Sequence, residues 1–348
     1  MSKEIDKLFS DKKIAYSFKL ILQYFLDRGA TVDSIFIADN ETYAILNYQG
    51  IRIPIKTKDE LFFSILNSSF GKVIGFNKLS AYKFLKLYGI PGPTTYSIED
   101  RSVIKRLLKQ DRQVVVKPRN GAHGDGVTLG IKTLDEVDKA IQHARKFRNG
   151  VIAQEQVTGE EYRLLFVNFQ LVGAIRRHHP FVIGDGQSTI AELIEQANLD
   201  RDKYVKSIVR YKWQEMHAAK ISVAETERTN TGAFLDRVPA KAKKIQLFNK
   251  GNIGLGGISE NATNLIGKDV IEAYSRLLRD LDLPLCGIDV ISQDISSPLS
   301  ENKTFVIEIN TAPGLMMHHM PYIGRSRPVD KVVAGAIYAK HKSLQKQT

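Results

Sequence analysis

Three oxygen-bearing side chains lie on two apolar segments toward the end of the sequence. Asp289 lies within LCGIDVIS, and Glu308 and Asn310 lie two residues apart within TFVIEIN. Residues i and i+2 of a strand point to one face, and pairing of the two strands as a hairpin would bring Asp289 to them. Carboxylates on apolar strands are costly to bury without a nearby cation, and hard oxygen ligands suit Mg²⁺ bound with nucleotide phosphates. The alternative is an exposed edge face with its polar residues turned outward.

A lysine followed by a glycine-rich loop forms a second candidate site. An apolar strand ends near Lys117, the next loop holds Gly121, Gly124 and Gly126, and a second strand, GVTLGI, follows. The order matches neither the G-x-G-x-x-G pattern, which opens a helix, nor G-x-x-x-x-G-K-[ST]. Glycines permit the positive-φ turns that point N–H groups inward, so the hairpin tip can close over phosphates. An ordinary flexible hairpin is the alternative.

Two further segments carry polar groups near strand ends. The strand edge in VIAQEQV can offer backbone groups to a nucleotide base, and Glu161 beyond it can accept from ribose hydroxyls. The alternative is that these are ordinary surface residues. Arg176 and Arg177 follow as a pair that suits a transferring phosphate or a substrate carboxylate. The two histidines after them face opposite ways on a strand, and therefore predict surface or substrate contacts rather than a metal pair.

The elements that position these groups predict three consecutive units. The first is a small α/β domain, the second holds the glycine hairpin, and the third holds the last two strands. A charged stretch at 200–250 fits a helical insertion into the third unit. The predicted boundaries are 1–74, 75–160 and 161–348.

Local patterns predict several individual elements. Apolar spacing indicates a helix at 14–28, and three short strands follow it, the last two joined by a turn at Gln49-Gly50. A helical stretch is predicted at 58–68, and Ser188 is predicted to cap a later helix.

Composition sets the class of protein. The 348 residues are 43% hydrophobic and 25% charged, which is ordinary for a globular chain, and no apolar run approaches a membrane span of ~20 residues. The lone cysteine, Cys286, excludes an internal disulfide and fits a reducing cytoplasm. Its place in an apolar run predicts a buried core thiol, with a nucleophile as the alternative. The net charge of +12 attracts anions. A basic nucleic-acid-binding protein is an alternative, with DKYVKSIVRYKW as its only aromatic and basic stretch.

The order of these pieces resembles the ATP-grasp superfamily of ADP-forming carboxylate–amine ligases, from about Phe76 to Pro328. Within it, the chain is most similar to the ATP-grasp half of cyanophycin synthetases, and next to that of bifunctional glutathione synthetases. The stretches that carry the resemblance are KPRNGAHGDGVTL, GEEYRLLFVNFQLVGAIRRHHPFVIGDGQSTIAELIE, NIGLGGIS, LCGIDVIS and VIEINTAPGLMMH.

The resemblance implies a nucleotide site. Lys117 would reach the α- and β-phosphates, and Lys78, just before a helix, would be the other nucleotide-binding lysine. Gln154 stands where many relatives have the glutamate beside the adenine. Glu161 would contact the ribose, and Asn252 the substrate or the phosphates. The remaining residues implied for nucleotide binding are Gly121, Ala122, His123, Gly124 and Gly126 in the flap, and Glu155 and Val157 beside the adenine.

The resemblance also implies the catalytic groups and the metal. Arg177, with Arg176, would steady the transferred phosphoryl group, and His123 would assist near the acyl phosphate. Asp289, Glu308 and Asn310 would hold Mg²⁺, as two ions, with Mn²⁺ able to substitute.

The fold implied is the α+β ATP-grasp fold, in which two α/β subdomains clasp ATP, here with a small N-terminal α/β domain. The activity implied is ligation of an amino acid or peptide carboxylate to an amine, with ATP and small-molecule or peptide substrates as partners and a homo-oligomer (dimer or tetramer) as the assembly. Met316 stands at a position where the resemblance to cyanophycin synthetases implies an arginine, which would suit the carboxylate of an acidic substrate. The methionine argues against aspartate as the amine and against polymer synthesis. A phosphotransferase on the same fold is the alternative.

Overall fold

A computed structural model of the protein describes most of the chain. The described residues are 2–38, 40–59, 61–121, 124–148, 150–217, 219–230, 233–248, 253–301 and 303–346. No helix among them has the length and apolar character needed to cross a membrane.

The first 65 residues form two helices and an antiparallel sheet with strand order β1-β2-β3-β4. The predicted helix at 14–28 is confirmed as α2, which buries Phe18, Ile21, Leu22 and Phe25. The bounds are α1 (Ser2–Ser10), α2 (Tyr16–Leu26), β1 (Thr31–Ala38), β2 (Glu41–Tyr48), β3 (Ile51–Lys58) and β4 (Leu61–Phe63).

The helix predicted at 58–68 is wrong. Residues Leu61–Phe63 form β4, which pairs antiparallel with the end of β3. Phe62 turns inward and is 2% exposed while its two neighbours are half-buried, so the segment alternates with the period of a strand. The predicted turn at Gln49-Gly50 is confirmed, with both residues at positive φ.

The middle of the chain alternates short strands and helices. The bounds are α3 (Ser69–Phe76), α4 (Lys78–Leu87), β5 (Thr95–Ser97), α5 (Arg101–Lys109), β6 (Val114–Pro118), β7 (Thr128–Ile131), α6 (Leu134–Arg145), β8 (Val151–Glu155), β9 (Glu160–Val167), β10 (Gln170–His178) and β11 (Phe181–Ile183).

The last part contains the longest helices and the two strands of the candidate metal site. Its bounds are α7 (Ile190–Ile208), α8 (Val223–Thr229), β12 (Lys244–Gln246), β13 (Ile258–Asn261), α9 (Lys268–Asp280), β14 (Leu285–Ser292), β15 (Thr304–Asn310), α10 (Met316–His319) and α11 (Val329–Gln345).

Two details of this part differ from the sequence-based expectation. Thr189, not Ser188, is the N-cap of α7, because the Thr189 hydroxyl accepts from the Glu192 N–H and the Glu192 carboxylate accepts from the Thr189 N–H. The stretch 200–250 is helical only in part, since β12 pairs with β11. Leu247 and Phe248 pack in one core cluster with Ile190 of α7.

The chain divides into two compact units that are each discontinuous in sequence. The first unit comprises 1–65, 175–262 and 314–348, and the second comprises 66–174 and 263–313. The boundaries at 74 and 160 were placed by sequence motifs and not by compactness, and they stay a prediction.

The second unit contains two groups of strands. One is an antiparallel sheet with order β5-β8-β6-β7, whose core cluster includes Val116 of β6 and Ala144 of α6. In the other, β14 lies between β9 and β15 and pairs antiparallel with both. Cys286 on β14 is fully buried, as predicted, and burial raises the pKa of its thiol.

In the first unit, α2 and α11 pack together against β3. Strand β10 ends in this unit, where Arg176 pairs with Glu260 and Arg177 with Ser259 of β13. Of the residues predicted for the nucleotide and the metal, those up to Glu161 and those from Asp289 onward lie in the second unit. The arginine pair lies in the first unit.

Candidate active site

The predicted hairpin of β14 and β15 is present and places the two candidate carboxylates opposite each other. Asp289 pairs with Glu308, and Gly287 with Asn310, with a register shift just after Asp289. Strand alternation sends Ile288 and Ile309 into the core, where they are 0% and 2% exposed. The amide nitrogen of Asn310 donates to Oδ2 of Asp289 at 3.3 Å, so all three predicted ligands gather at one place in the second unit.

Asp289 also has a cationic partner that the sequence analysis missed. Arg163 lies directly opposite Asp289 on β9, and its guanidinium forks onto the carboxylate, with Nε donating to Oδ1 and Nη2 to Oδ2, the latter at 2.7 Å. The two side chains are 9% and 5% exposed. Burial acts to lower the pKa of Arg163, but the Asp289 charge outweighs it and holds that pKa above its usual value. A single charge inside the apolar run YRLLFV was the available signal.

Glu308 is paired with Lys78, the first residue of α4. Lys78 Nζ lies 3.2 Å from Glu308 Oε1 and donates to the carbonyl of Gly121 at 2.9 Å. The Asn77 side chain caps α4 by accepting from the N–H groups of Leu79 and Ser80. This cap holds the first turn of the helix, and Lys78 with it, in place. One ammonium thus joins Glu308, a predicted metal ligand, to the start of the glycine loop.

Lys117 lies in the middle of the β5-β8-β6-β7 sheet, opposite Ile152 of β8. It is 8% exposed, and burial followed by the charge of Lys78 lowers its pKa to about 8. The attraction of Glu308 and Asp289 opposes this shift. A buried lysine near two carboxylates and another lysine is a group whose charge responds to an arriving anion.

The glycine loop connects β6 and β7, which pair antiparallel as predicted. Gly121, Gly124 and Gly126 have φ of +147°, +78° and +70°, and side chains rarely adopt these values. At Gly126 a Cβ would also lie 3.0 Å from Pro118 Cγ. The predicted flap residues Ala122 and His123 lie outside the described residues.

The predicted adenine strand is β8 with the residues that follow it. Gln154 is 5% exposed and its amide nitrogen donates to the Thr95 hydroxyl at 2.6 Å, so its side chain is already engaged within the sheet. Glu155 accepts from Arg112 at 2.9 Å. Val157, just after the strand, is half-buried, as is Glu161 near the start of β9.

In the first unit, the predicted arginine pair divides between two faces of β10. Neighbouring strand residues point opposite ways, and Arg176 forks onto Oε2 of Glu260 at 2.8 and 2.6 Å while Arg177 points to the other face. His178 Nε2 lies 2.7 Å from the same Glu260 oxygen. Partial burial acts to raise the Glu260 pKa, but these two partners outweigh it and hold that pKa below its usual range.

Asn252, also predicted to contact substrate or phosphates, lies outside the described residues. Glu260 was not foreseen, because nothing in its own short segment shows which strand it pairs with. His178, predicted to make surface or substrate contacts, contacts Glu260.

The donor set at Asp289 and Glu308 fits Mg²⁺. Magnesium binds one or two carboxylates together with waters and phosphate oxygens rather than an all-protein cage. The part of the chain that the structure describes has no group of three or more His, Cys, Asp or Glu side chains arranged for a metal. Lys78 and Arg163 balance the two carboxylates in their present arrangement.

Comparison with known proteins identifies the domain. Residues 76–174 match the ATP-grasp domain family. Cyanophycin synthetase from Trichormus variabilis is 29% identical over 275 residues, which cover 77% of this chain and 29% of that protein. The glutathione biosynthesis bifunctional protein of Clostridium perfringens is 28% identical over 254 residues, which cover 72% of this chain and 32% of that protein.

A solved structure shares the fold over almost the whole chain. The bifunctional glutathione synthetase from Pasteurella multocida superimposes with a TM-score of 0.64 at 23% identity, covering 95% of this chain and 44% of that one. The chain spans about 29–32% of the length of the two curated relatives above.

Proposed function

The chain carries an ATP-grasp domain and has the α+β ATP-grasp fold predicted from its sequence, and we propose that it is an ATP-dependent, ADP-forming carboxylate–amine ligase. The observation that carries the proposal is one cluster in the second unit, where Lys78 contacts both Glu308 and the glycine loop, and Glu308 faces Asp289. Such an arrangement suits a nucleoside triphosphate with its metal ion, because it offers cations for the phosphates and hard anionic ligands for the metal side by side.

In this proposal the two lysines bind the α- and β-phosphates. Lys78 exchanges its contact with Glu308 for a phosphate oxygen, and Lys117 gains a partner for its buried ammonium. The hairpin of Gly121, Ala122, His123, Gly124 and Gly126 closes over the phosphates with its N–H groups.

The adenine lies along β8, bounded by Gln154, Glu155 and Val157, and Glu161 accepts from the ribose. Because the Gln154 amide is bonded to Thr95, recognition of the base at this position uses the backbone of β8. Asn252 contacts the substrate or the phosphates.

Asp289, Glu308 and Asn310 would hold Mg²⁺, as two ions, with Mn²⁺ able to substitute. The metal would supply charge neutralisation for the phosphoryl oxygens. The chain's own contribution is to place two carboxylates and an amide on facing strands, each carboxylate oriented by a cation.

The proposed reaction has two steps. A substrate carboxylate attacks the γ-phosphate in line, releasing ADP and forming an acyl phosphate, and the amine then displaces inorganic phosphate to form an amide with loss of one proton. Arg177, with Arg176, steadies the charge on the phosphoryl oxygens, and His123 assists at the acyl phosphate. Closure of the hairpin excludes water that would hydrolyse the intermediate.

The substrates proposed are an amino acid or peptide carboxylate and an amine, small or peptidic. The net charge of +12 favours acidic acceptors. We further propose a cytoplasmic protein that assembles as a homo-oligomer, a dimer or a tetramer.

An ADP-release screen tests the proposal. Purified protein is supplied with Mg²⁺, ATP, and crossed sets of amino acids, dipeptides and candidate acids, and ADP, free phosphate and the organic product are measured together. Equal amounts of ADP and free phosphate, appearing only when carboxylate and amine are both present and matched by an amide in the mass spectrum, are expected. Phosphate retained on an organic product would replace the ligase by a phosphotransferase.

A further inference from the structure

Arg163 is a deeply buried cation that contacts the predicted metal ligand Asp289. Its guanidinium bonds to both oxygens of Asp289, and the whole residue is 8% exposed. The bidentate fork fixes the plane of the carboxylate as well as its position. A single lysine contact, such as the one Lys78 makes with Glu308, constrains the distance but not the plane.

The backbone of β14 packs closely against the side chain of this arginine. Gly287 lies two residues before Asp289 on β14, and a Cβ there would lie 3.0 Å from Arg163 Cδ, on the aliphatic part of its side chain. The same Cβ would meet Pro313 Cβ at 3.1 Å. Arg163 and Pro313 therefore both pack closely against Gly287, and a side chain at that position would require one of them to shift.

We propose that Arg163 is a positioning residue that sets the metal affinity of the site by holding the Asp289 carboxylate in its ligating orientation. This inference rests on the proposed function, in which Asp289 is a metal ligand. Arg163 acts through Asp289 and is itself no ligand, since a guanidinium cannot donate a lone pair to a cation.

The geometry also separates the two carboxylates by role. Asp289 is 5% exposed and held on both oxygens by a buried arginine, whereas Glu308 is 25% exposed and contacted by one lysine that also bonds to Gly121. Asp289 is thus the fixed side of the site, and Glu308 is the side that rearranges when Lys78 moves to a phosphate. Loss of the fork removes the fixed side.

The experiment measures metal binding rather than turnover. Mn²⁺ affinity is determined by electron paramagnetic resonance of free Mn²⁺ in the presence of ADP, with no carboxylate or amine supplied. Arg163→Met is expected to weaken Mn²⁺ binding about 10–100-fold, the usual cost of removing a group that orients a metal ligand. Arg163→Lys, which keeps the charge but not the fork, is expected to restore part of that loss.

Gly287→Ala probes the same contact without changing any charge. The added methyl group displaces the Arg163 side chain, and a loss of a few-fold in Mn²⁺ affinity is expected. Two matched controls should leave the affinity unchanged. Arg101→Met removes an arginine of the same unit that pairs with Asp138 on the surface, and Gly335→Ala adds a methyl group where no atom lies within 4 Å.

The outcomes are distinct. A folded Arg163→Met protein with wild-type Mn²⁺ affinity overturns the inference, as does a lowered melting temperature with unchanged affinity. If Arg163→Met does not fold, Arg163→Lys and Gly287→Ala decide, and wild-type affinity in both overturns it. Mn²⁺ binding without any amide product would defeat the ligase proposal alone, whereas absence of Mn²⁺ binding to the wild-type protein would overturn the metal assignment and this inference together.

Discussion

Lys78 Nζ lies 3.2 Å from Glu308 Oε1, so a residue predicted to bind phosphate and a residue predicted to bind metal form an ion pair with each other. The two are 230 positions apart in sequence, and under the proposed function each would give up the other when Mg²⁺ and ATP bind. The ion pair neutralises two side chains that are largely withdrawn from water, each of which would be costly to bury alone.

Removing either carboxylate should abolish turnover without unfolding the protein. Asp289→Asn and Glu308→Gln keep side-chain size but remove the charge that the metal needs, and at least a 100-fold loss in the rate of ADP formation is expected. Glu301→Gln, at an exposed ion pair with Lys303, is the control. Circular dichroism checks the fold, and unimpaired turnover in both site variants would defeat the metal assignment.

Nucleotide affinity should fall as the pH rises through about 8. The pKa of Lys117 is lowered to about 8, so its ammonium is charged below that pH and neutral above it in the free protein. Phosphate raises this pKa on binding, and between the two values the association constant should fall by up to about tenfold per pH unit. Titration calorimetry of ADP from pH 7 to 10 measures the profile.

Lys117→Arg supplies the control for that profile, because a guanidinium stays charged throughout this range. Its absolute affinity need not equal that of the wild-type protein. Its pH profile should be flat above pH 8, and a wild-type profile equally flat would show that Lys117 does not contact the phosphates.

The two neighbouring arginines should behave unequally. Arg176 is already bound to Glu260 on one face of β10, and Arg177 points to the other face. Arg177→Met is expected to lower kcat by about 10²–10³-fold, the usual loss of a group that stabilises a developing charge. Arg176→Met should lower kcat less than tenfold and reduce the melting temperature. Steady-state kinetics of both variants decide, and equal losses or the reverse order would contradict this assignment.

Helix α3 should tolerate no side chain at Gly71. A Cβ there would lie 2.2 Å from the carbonyl oxygen of Leu281 and 2.7 Å from Leu283 Cγ, so the helix must move away. Gly71→Ala is expected to lower the free energy of unfolding by about 1–3 kcal/mol, the usual cost of overpacking. Gly335→Ala, in an open position of α11, should instead be neutral or stabilise by up to about 1 kcal/mol. Urea denaturation of the two variants provides the comparison, and similar unfolding midpoints would show that α3 does not pack closely here.

Local patterns in the sequence were enough for most of the elements. Apolar spacing predicted α2, the glycine spacing predicted the β6–β7 hairpin, and alternation placed Glu308 and Asn310 on one face of β15. The helix predicted at 58–68 failed because the segment is short, and short apolar runs do not distinguish a strand from a helix. Ser188 failed as a cap because its neighbour Thr189 has an equally suitable hydroxyl and the glutamate three residues later.

By itself, the sequence determined which chemical groups are present, on which face of its strand each one lies, and which of them lie in loops. The order of its motifs determined the ATP-grasp fold. Only the tertiary structure decided partners: that Arg163 forks onto Asp289, that Lys78 reaches Glu308, and that Arg176 is held by Glu260. The reason is physical. Side-chain alternation depends on one strand alone, whereas the pairing of distant strands and their register depends on how the whole core packs.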